Sequence, residues 1–267
     1  MQASDVAFTG SIPEIYDRCL GPMLFEPYAR DLARRFAGFE GALLETAAGT
    51  GRVTRALAEA APKARITATD LNEAMLAKAA TLVRAPNVEW RTADAQALPF
   101  ADAAFDALVC QFGVMFFPDK AAAYAEAHRV LRPGGRFVFN VWDGLAHNAV
   151  TEAVHQALAG LFPDDPPGFL PRVPFGYHDE GRIREQLAAA GFGAVEVERV
   201  KVETRSPSAD EAATGLCLGT PVSAELAARG PDAGDRGVAA AAAALRSRFG
   251  DGEITGPGQA LVVTARA

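Results

Sequence analysis

Between Gly41 and Asn140, short apolar runs alternate with segments in which apolar residues recur every three or four positions. That order predicts a parallel sheet covered by helices. The runs ALLET (42–46), ARITATD (64–70), NVEWRTA (87–93), FDALVCQ (105–111) and GRFVFNVW (135–142) read as strands. Between the first two, Val53, Ala56, Leu57 and Ala60 share one helical face before Pro62 ends the run. Between the next two, Met75, Ala79, Leu82 and Val83 do the same. Asn72 is placed to cap that second helix, its side-chain oxygen accepting an amide of the first turn. A third helix, from about Asp119 to Leu131, is expected to stop at Arg132-Pro133-Gly134-Gly135.

On either side the pattern changes. A helix opened by Pro27 is expected from about Glu26 to Ala37, within an N-terminal lid of residues 1–40. The remainder, 41–267, reads as one domain with cap insertions at about 147–190 and 203–257. Helical spacing at 147–162 and 179–190 flanks a proline-rich loop, LFPDDPPGFLPRVPFGY, at 161–177. The alternating run 193–204 and the stretch 259–267 predict two late strands, separated by Ala-rich helical sequence. The run VAAAAAALRSRF at 238–249 needs no explanation beyond helix propensity.

Composition narrows the partners. The chain has 267 residues and a net charge of -7, so its overall field repels polyanions and argues against nucleic acid or an anionic membrane surface. A small molecule fits better. Cys19, Cys110 and Cys217 are odd in number and lack C-x-x-C spacing, which argues against a disulfide framework and against a metal site, and points to a reducing cytoplasm. No basic start precedes an apolar run, and no apolar stretch approaches the ~20 residues of a membrane span, so neither export nor insertion is expected. Monomer and homodimer are equally compatible.

The chemistry gathers at strand ends. The first strand runs into E-T-A-A-G-T-G-R, with Glu45 at its end and Gly49 and Gly51 in the turn opening the next helix. Glycines there admit positive φ and close approach of a ligand to the backbone. Asp70 ends the second strand, 19 residues after Gly51, where a carboxylate can accept both hydrogen bonds of a ribose diol. Taken singly, the turn reads equally well as a tight connection and Asp70 as a solvated loop residue. A nicotinamide-dinucleotide oxidoreductase is the rival reading, but aligning Gly49 and Gly51 with the first two glycines of G-x-G-x-x-G puts Thr54 at the third.

E-T-A-A-G-T-G, then T-D-L-N-E-A-M, then T-A-D-A-Q-A-L-P-F, in that order over about residues 40–142, resembles the class I S-adenosylmethionine-dependent methyltransferases. The likeness is to the small-molecule branch that includes the quinone-biosynthesis C-methyltransferases. It implies an α/β, Rossmann-like, doubly wound sheet of seven strands with the last antiparallel. Helices from the N-terminus and from the insertion before the last strand would form a cap. It implies S-adenosyl-L-methionine as cofactor and methyl transfer to a small acceptor. Ala47, Gly49 and Gly51 would line the methionine part, Asp70 would hold the ribose, Leu71 and Met75 would pack on adenine, and Asp94 with Ala95 would meet its amino edge. Glu45 would organise the loop near the amino end. The family often has glycine where Ala47 stands, so the backbone there is expected to avoid a strongly positive φ.

The fourth strand leads into C-Q-F-G-V-M-F-F, which in the family faces the transferable methyl. Gln111 and Phe112 are the cofactor-side candidates there, and Met115 an acceptor-side one, while Val114 to Phe117 read equally well as core. The segment lacks the Asn/Asp-Pro-Pro-aromatic tetrad of amino-methylating nucleic-acid enzymes. Transfer from a sulfonium depends on alignment and desolvation more than on a specific acid. Where the acceptor carries a proton, His147, Tyr177 and His178 are the candidate bases, whereas His128 and His155 read as structural. Tyr16 could turn its ring to the sulfonium or anchor a helix. Trp142, Phe175 and Tyr177 are candidates for an acceptor wall. A catalytically silent cofactor-binding protein remains the other alternative.

Overall fold

The computed structural model describes residues 12–267, and the first eleven residues of the expected N-terminal lid lie outside it. In chain order the elements are α1 (Ile12–Ile15), a π-helical stretch (Tyr16–Phe25), α2 (Glu26–Arg34), β1 (Ala42–Thr46), α3 (Arg52–Ala60), β2 (Arg65–Asp70), α4 (Glu73–Leu82) and β3 (Val88–Thr92). Next come β4 (Phe105–Gln111), a 3₁₀ turn (Val114–Phe116), α5 (Lys120–Val130), β5 (Leu131–Trp142), α6 (Ala149–Leu161), α7 (Phe169–Arg172) and α8 (Glu180–Ala189). The chain ends with β6 (Val195–Ser206), α9 (Ala209–Leu218), α10 (Val222–Ala227), α11 (Ala233–Phe249) and β7 (Ile254–Arg266).

The seven strands form one sheet in the order β3-β2-β1-β4-β5-β7-β6. β1 is parallel to β2 and β4, and β2–β3 and β4–β5 are parallel too. β7 runs antiparallel to β5: Gly134 and Gly135 bond Ala267, whereas Asp143, just past the end of β5, bonds Gln259, earlier in β7. Every residue of central β1 is buried, as expected of a strand covered on both faces. The fold is the doubly wound α/β arrangement with an antiparallel last strand.

The chain forms two compact units. One takes in Tyr28–Val141, His178–Arg199 and Leu261–Ala267. Its helix starts follow the sequence signals: Asn72 accepts the Met75 amide at 3.2 Å, Asp119 that of Ala122 and Asp179 that of Arg182, each at 3.0 Å. Tyr124, Phe137, Phe139 and Phe192 form an aromatic cluster in its core, with His128 edge-on to Phe192 at 5.2 Å. Of the described residues, the other unit takes in 12–27, Trp142–Tyr177 and Val200–Ala260. There α11 packs on α6 and α9, and small residues let helices close up: a Cβ on Gly215 would lie 2.8 Å from that of Cys19, and one on Gly237 3.1 Å from Leu226.

Several sequence expectations are corrected in detail. α2 does not begin at Pro27 but continues a helical run from Ile12, and the Glu26 amide bonds Gly21 five residues back. The wider π turn accommodates Pro22, which has no amide to donate. β5 begins at Leu131, not Gly135, because the Pro-Gly-Gly turn is absorbed as a bulge between the pairs Phe105–Leu131 and Ala107–Arg136. β7 starts at Ile254, five residues before the expected strand, and the proline-rich loop contains α7. The buried face of α3 is Val53, Thr54, Leu57 and Ala58, and that of α4 is Leu76 and Ala79 with Leu82 exposed. Both faces turn slightly from the spacing read off the apolar residues alone, since buried Thr54 is polar and exposed Leu82 is not.

Candidate functional site

The turn after β1 and the end of β2 are built as one piece. The Asp70 carboxylate accepts the Gly49 amide on one oxygen and the Asn72 amide on the other, each at 2.8 Å. Ala48 N–H bonds Thr69 O at 2.9 Å, and the Thr69 hydroxyl donates to Glu45 O at 2.8 Å. These bonds take one lone pair on each Asp70 oxygen. Burial holds its carboxyl above the usual range, against the favour of the Asn72, Gly49 and Leu71 amides.

The two glycines serve different ends. A Cβ at Gly49, φ +56°, would meet nothing within 4 Å, so open space lies over that turn. At Gly51, φ +82°, it would meet Trp90 at 3.0 Å and Ala79 and Val83 at 3.1 Å, so this glycine permits close packing of protein on protein as well as the left-handed start of α3. Ala47 does not avoid positive φ. It sits at +55°, a correction to the sequence expectation: the turn imposes the left-handed conformation even on alanine, at a cost of about 1 kcal/mol.

Around this turn lie the other candidates of the same unit. Leu71 is 69% exposed, one of only two large apolar side chains so exposed among the described residues. Met75 is half-buried in the first turn of α4. Asp94 is drawn in by Ala93 N–H bonding Asp70 O at 3.1 Å, and its carboxylate accepts the Gln96 backbone amide at 2.9 Å. Gln96 in turn accepts the Asp119 amide at 2.8 Å, tying Asp94 and Ala95 to the start of α5. At the end of β4, Phe112 adopts φ +49° and meets Tyr28 edge-on at 5.2 Å. The next residue, Gly113, leaves no room for a side chain: a Cβ would lie 2.5 Å from that of Ala47 and 2.7 Å from Cys110 Sγ. The β1 and β4 turns therefore touch. Gln111 is half-buried, and Met115 is buried with Val114.

Glu45 Oε2 and Asn140 Nδ2 are buried here with no hydrogen-bond partner. Glu45 is 1% exposed. Burial pushes its carboxyl up to about 8, the neighbouring Asp70 charge adds to that, and Thr54 opposes it. Asn140 is the residue that sequence reading missed. Its signal was present, as a polar residue inside the apolar run FVFNVW. Lys120 was missed as well: its ammonium donates to Met115 O and Phe117 O at 3.1 and 3.0 Å, clamping the 3₁₀ turn, and burial lowers its pKa to about 8.

The remaining candidates belong mostly to the other unit. Tyr16 stacks on Phe25 at 4.8 Å, Phe25 lies 6.3 Å from Trp142, and Trp142 stacks on Phe175 at 5.6 Å. Trp142, Phe175 and Tyr177 are buried, and His147 is exposed. His178 is exposed in the first-described unit. The loop carrying Phe175 is fixed through Glu225, which accepts the Phe169 amide at 3.0 Å and pairs with Arg172. Among the described residues there is no helix long and apolar enough to cross a membrane and no His/Cys/Asp/Glu group able to hold a metal.

A family model described as "Methyltransferase domain" matches residues 44–139. The chain is 35% identical over 161 residues to the demethylmenaquinone methyltransferase of Thermus thermophilus, covering 56% of this chain and 73% of that enzyme. It is 43% identical over 100 residues to the ubiquinone/menaquinone biosynthesis C-methyltransferase of Paracoccus denitrificans, covering 36% of this chain and 40% of that one. A putative type II methyltransferase from Anaeromyxobacter dehalogenans shares the fold, with a TM-score of 0.61 at 24% identity over 92% of this chain and 97% of that one. The chain belongs to the class I S-adenosylmethionine-dependent methyltransferases and resembles the quinone C-methyltransferases among them. It is a methyltransferase whose cofactor is S-adenosylmethionine.

The site fits that cofactor. Asp70 can accept from a diol beside an exposed Leu71 suited to a base, Gly49 opens onto empty space, and Glu45 Oε2 and Asn140 Nδ2 are buried without a partner.

Proposed function

We propose that this enzyme methylates an electron-rich ring of the quinol type, a small and partly apolar acceptor. The observation that carries the cofactor side is Asp70, which binds the Gly49 amide and stands next to exposed Leu71. In this reading Asp70 takes the ribose hydroxyls, Leu71 and Met75 pack on adenine, and Asp94 with Ala95 meets its amino edge. Ala47, Gly49 and Gly51 line the methionine part, Glu45 faces its amino end, and Gln111 and Phe112 adjoin the sulfonium. The bound cofactor supplies an electrophilic methyl. The protein supplies alignment and a dry environment.

The acceptor class rests on the names of the Thermus and Paracoccus relatives and on the aromatic series Tyr16, Phe25, Trp142 and Phe175. Flat, stiff aromatics suit recognition of a ring. Within this proposal, segments 161–177 and 203–257 and the N-terminal residues 1–40 select the acceptor, Met115 adds to its wall, and His147, Tyr177 or His178 takes a hydroxyl proton. The cytoplasm is the compartment that the free, buried cysteines suit.

The test is transfer of labelled methyl to a panel of reduced 1,4-naphthoquinols, catechols and amines. Label is expected in the ring carbon of the quinols, and Phe175→Ala is expected to cut that turnover at least about tenfold while leaving S-adenosylhomocysteine affinity within about twofold. Label in amines alone would overturn the acceptor class. Parallel loss of thermal stability and cofactor binding in Phe175→Ala would show that this ring only closes the core.

A further inference from the structure

We infer that Asn140 is a cofactor-binding residue, donating from its side-chain amide to the carboxylate of the cofactor's amino-acid end. The inference rests on the cofactor placement proposed above. Asn140 lies on β5 opposite Gln111 on β4 and is 0% exposed. Its Oδ1 accepts the Phe112 amide at 2.9 Å, and its backbone oxygen shares the same donor at 3.2 Å. Asn140 thus helps to hold the left-handed turn at Phe112 through both its side chain and its backbone. Its other polar atom, Nδ2, is buried with no partner.

Leaving a buried amide donor unpaired forfeits its hydration with nothing in return, so a group that remains so in a native fold is expected to find its partner in a ligand or a trapped water. The chemistry of the partner follows from the donor: it must be an oxygen or another acceptor, and an anionic oxygen gives the strongest bond. Its place on the ligand follows from strand order. Asp70, Leu71 and Asp94 lie at the ends of β2 and β3, on one side of β1, whereas β4 and β5 lie on the other. A cofactor whose adenosine rests over β2 and β3 extends its amino-acid end toward β4 and β5. That end carries one carboxylate. The side chain that accepts the Phe112 amide thus also grips the ligand.

Asn140→Asp separates the two roles, because an aspartate still accepts the Phe112 amide but no longer offers the N–H₂ group. Calorimetry at about pH 8 with S-adenosylhomocysteine and with 5′-methylthioadenosine, which lacks the amino-acid end, reads the difference. Wild-type protein is expected to bind both. Asn140→Asp is expected to lose at least about tenfold for S-adenosylhomocysteine and to keep its affinity for 5′-methylthioadenosine within about twofold. Equal weakening of both ligands, or of neither, would overturn the assignment; so would an effect confined to acceptor turnover, which would move the partner to the acceptor. Wild-type protein that binds neither ligand would overturn the cofactor reading itself. Should the variant not fold, the wild-type protein answers alone: the Asn140 side-chain amide protons are expected to shift downfield in nitrogen-edited NMR with S-adenosylhomocysteine and to stay in place with 5′-methylthioadenosine, and no shift with either would overturn the inference.

Discussion

Glu45→Gln flattens the pH dependence of stability between about pH 5 and pH 8, making the variant progressively more stable relative to the wild type as pH rises. The native carboxyl titrates near 8, whereas its ordinary value is 4.5, because burial disfavours its charged form. Below about 4.5 both native and unfolded chains hold the proton and nothing is lost. Between the two values the native state binds a proton that the unfolded chain has released, so native stability falls by about 1.4 kcal/mol per pH unit, and it levels off above about 8. Over the whole window the effect is of the order of several kcal/mol, the scale of a small protein's entire stability. Urea unfolding of wild type and Glu45→Gln at intervals across this range measures it. The amide adds at most a constant offset, and of the two groups only the carboxyl gives a slope. Parallel stability curves would show that Glu45 is ionised in the fold.

Asp70→Ala is expected to weaken both S-adenosylhomocysteine and 5′-methylthioadenosine by about 1.5–3 kcal/mol, roughly ten- to a hundredfold, in a protein that still folds. Both ligands suffer because the proposed partner is the ribose that they share. The same substitution removes the acceptor for the Gly49 and Asn72 amides, so part of the loss comes from a looser turn. Asp70→Asn, which keeps one acceptor oxygen, isolates that part and is expected to fall between wild type and Asp70→Ala. Unchanged affinity in folded Asp70→Ala would remove this carboxylate from the ribose. The contrast with Asn140→Asp, in which only the longer ligand suffers, assigns opposite ends of the cofactor to opposite sides of β1.

The parts of the fold that depend on local signals were legible in the chain. β1 to β4 lie within a residue of the apolar runs, since their ends are marked by glycine, proline or a polar residue. Asn72 and Asp119 cap the helices that their spacing indicated. What was not legible depends on tertiary contacts. The bulge that carries β5 back to Leu131 is made by pairing with β4 and with the end of β7, a partner more than a hundred residues away. The positive φ of Ala47 is imposed by the approach of Gly113 and by the bonds that close the turn, whereas residue type alone argued the opposite. The burial of Phe175 and Tyr177 likewise depends on Trp142 and on packing of distant segments.

For the site, the motif residues Glu45, Gly49, Asp70 and Asp94 fall at adjoining strand ends, because parallel strands in this order bring those ends together. Asn140 escaped because its role needs register: only the pairing of Gln111 with Asn140 shows that its side chain reaches the amide of Phe112. A lone asparagine in an apolar strand signals that something polar must be satisfied, but not what satisfies it.

The central claim is that the strand-end site takes S-adenosylmethionine and not a nicotinamide dinucleotide, and titration calorimetry of the wild-type protein with S-adenosylmethionine, S-adenosylhomocysteine, NADH and NADPH tests it directly. Saturable binding of the first two is expected at one site per chain, with no heat from either dinucleotide, since the Gly49 amide is already taken by Asp70 and the third glycine position of a pyrophosphate loop is the buried Thr54. Tight NADH binding without measurable affinity for S-adenosylmethionine or S-adenosylhomocysteine would contradict it.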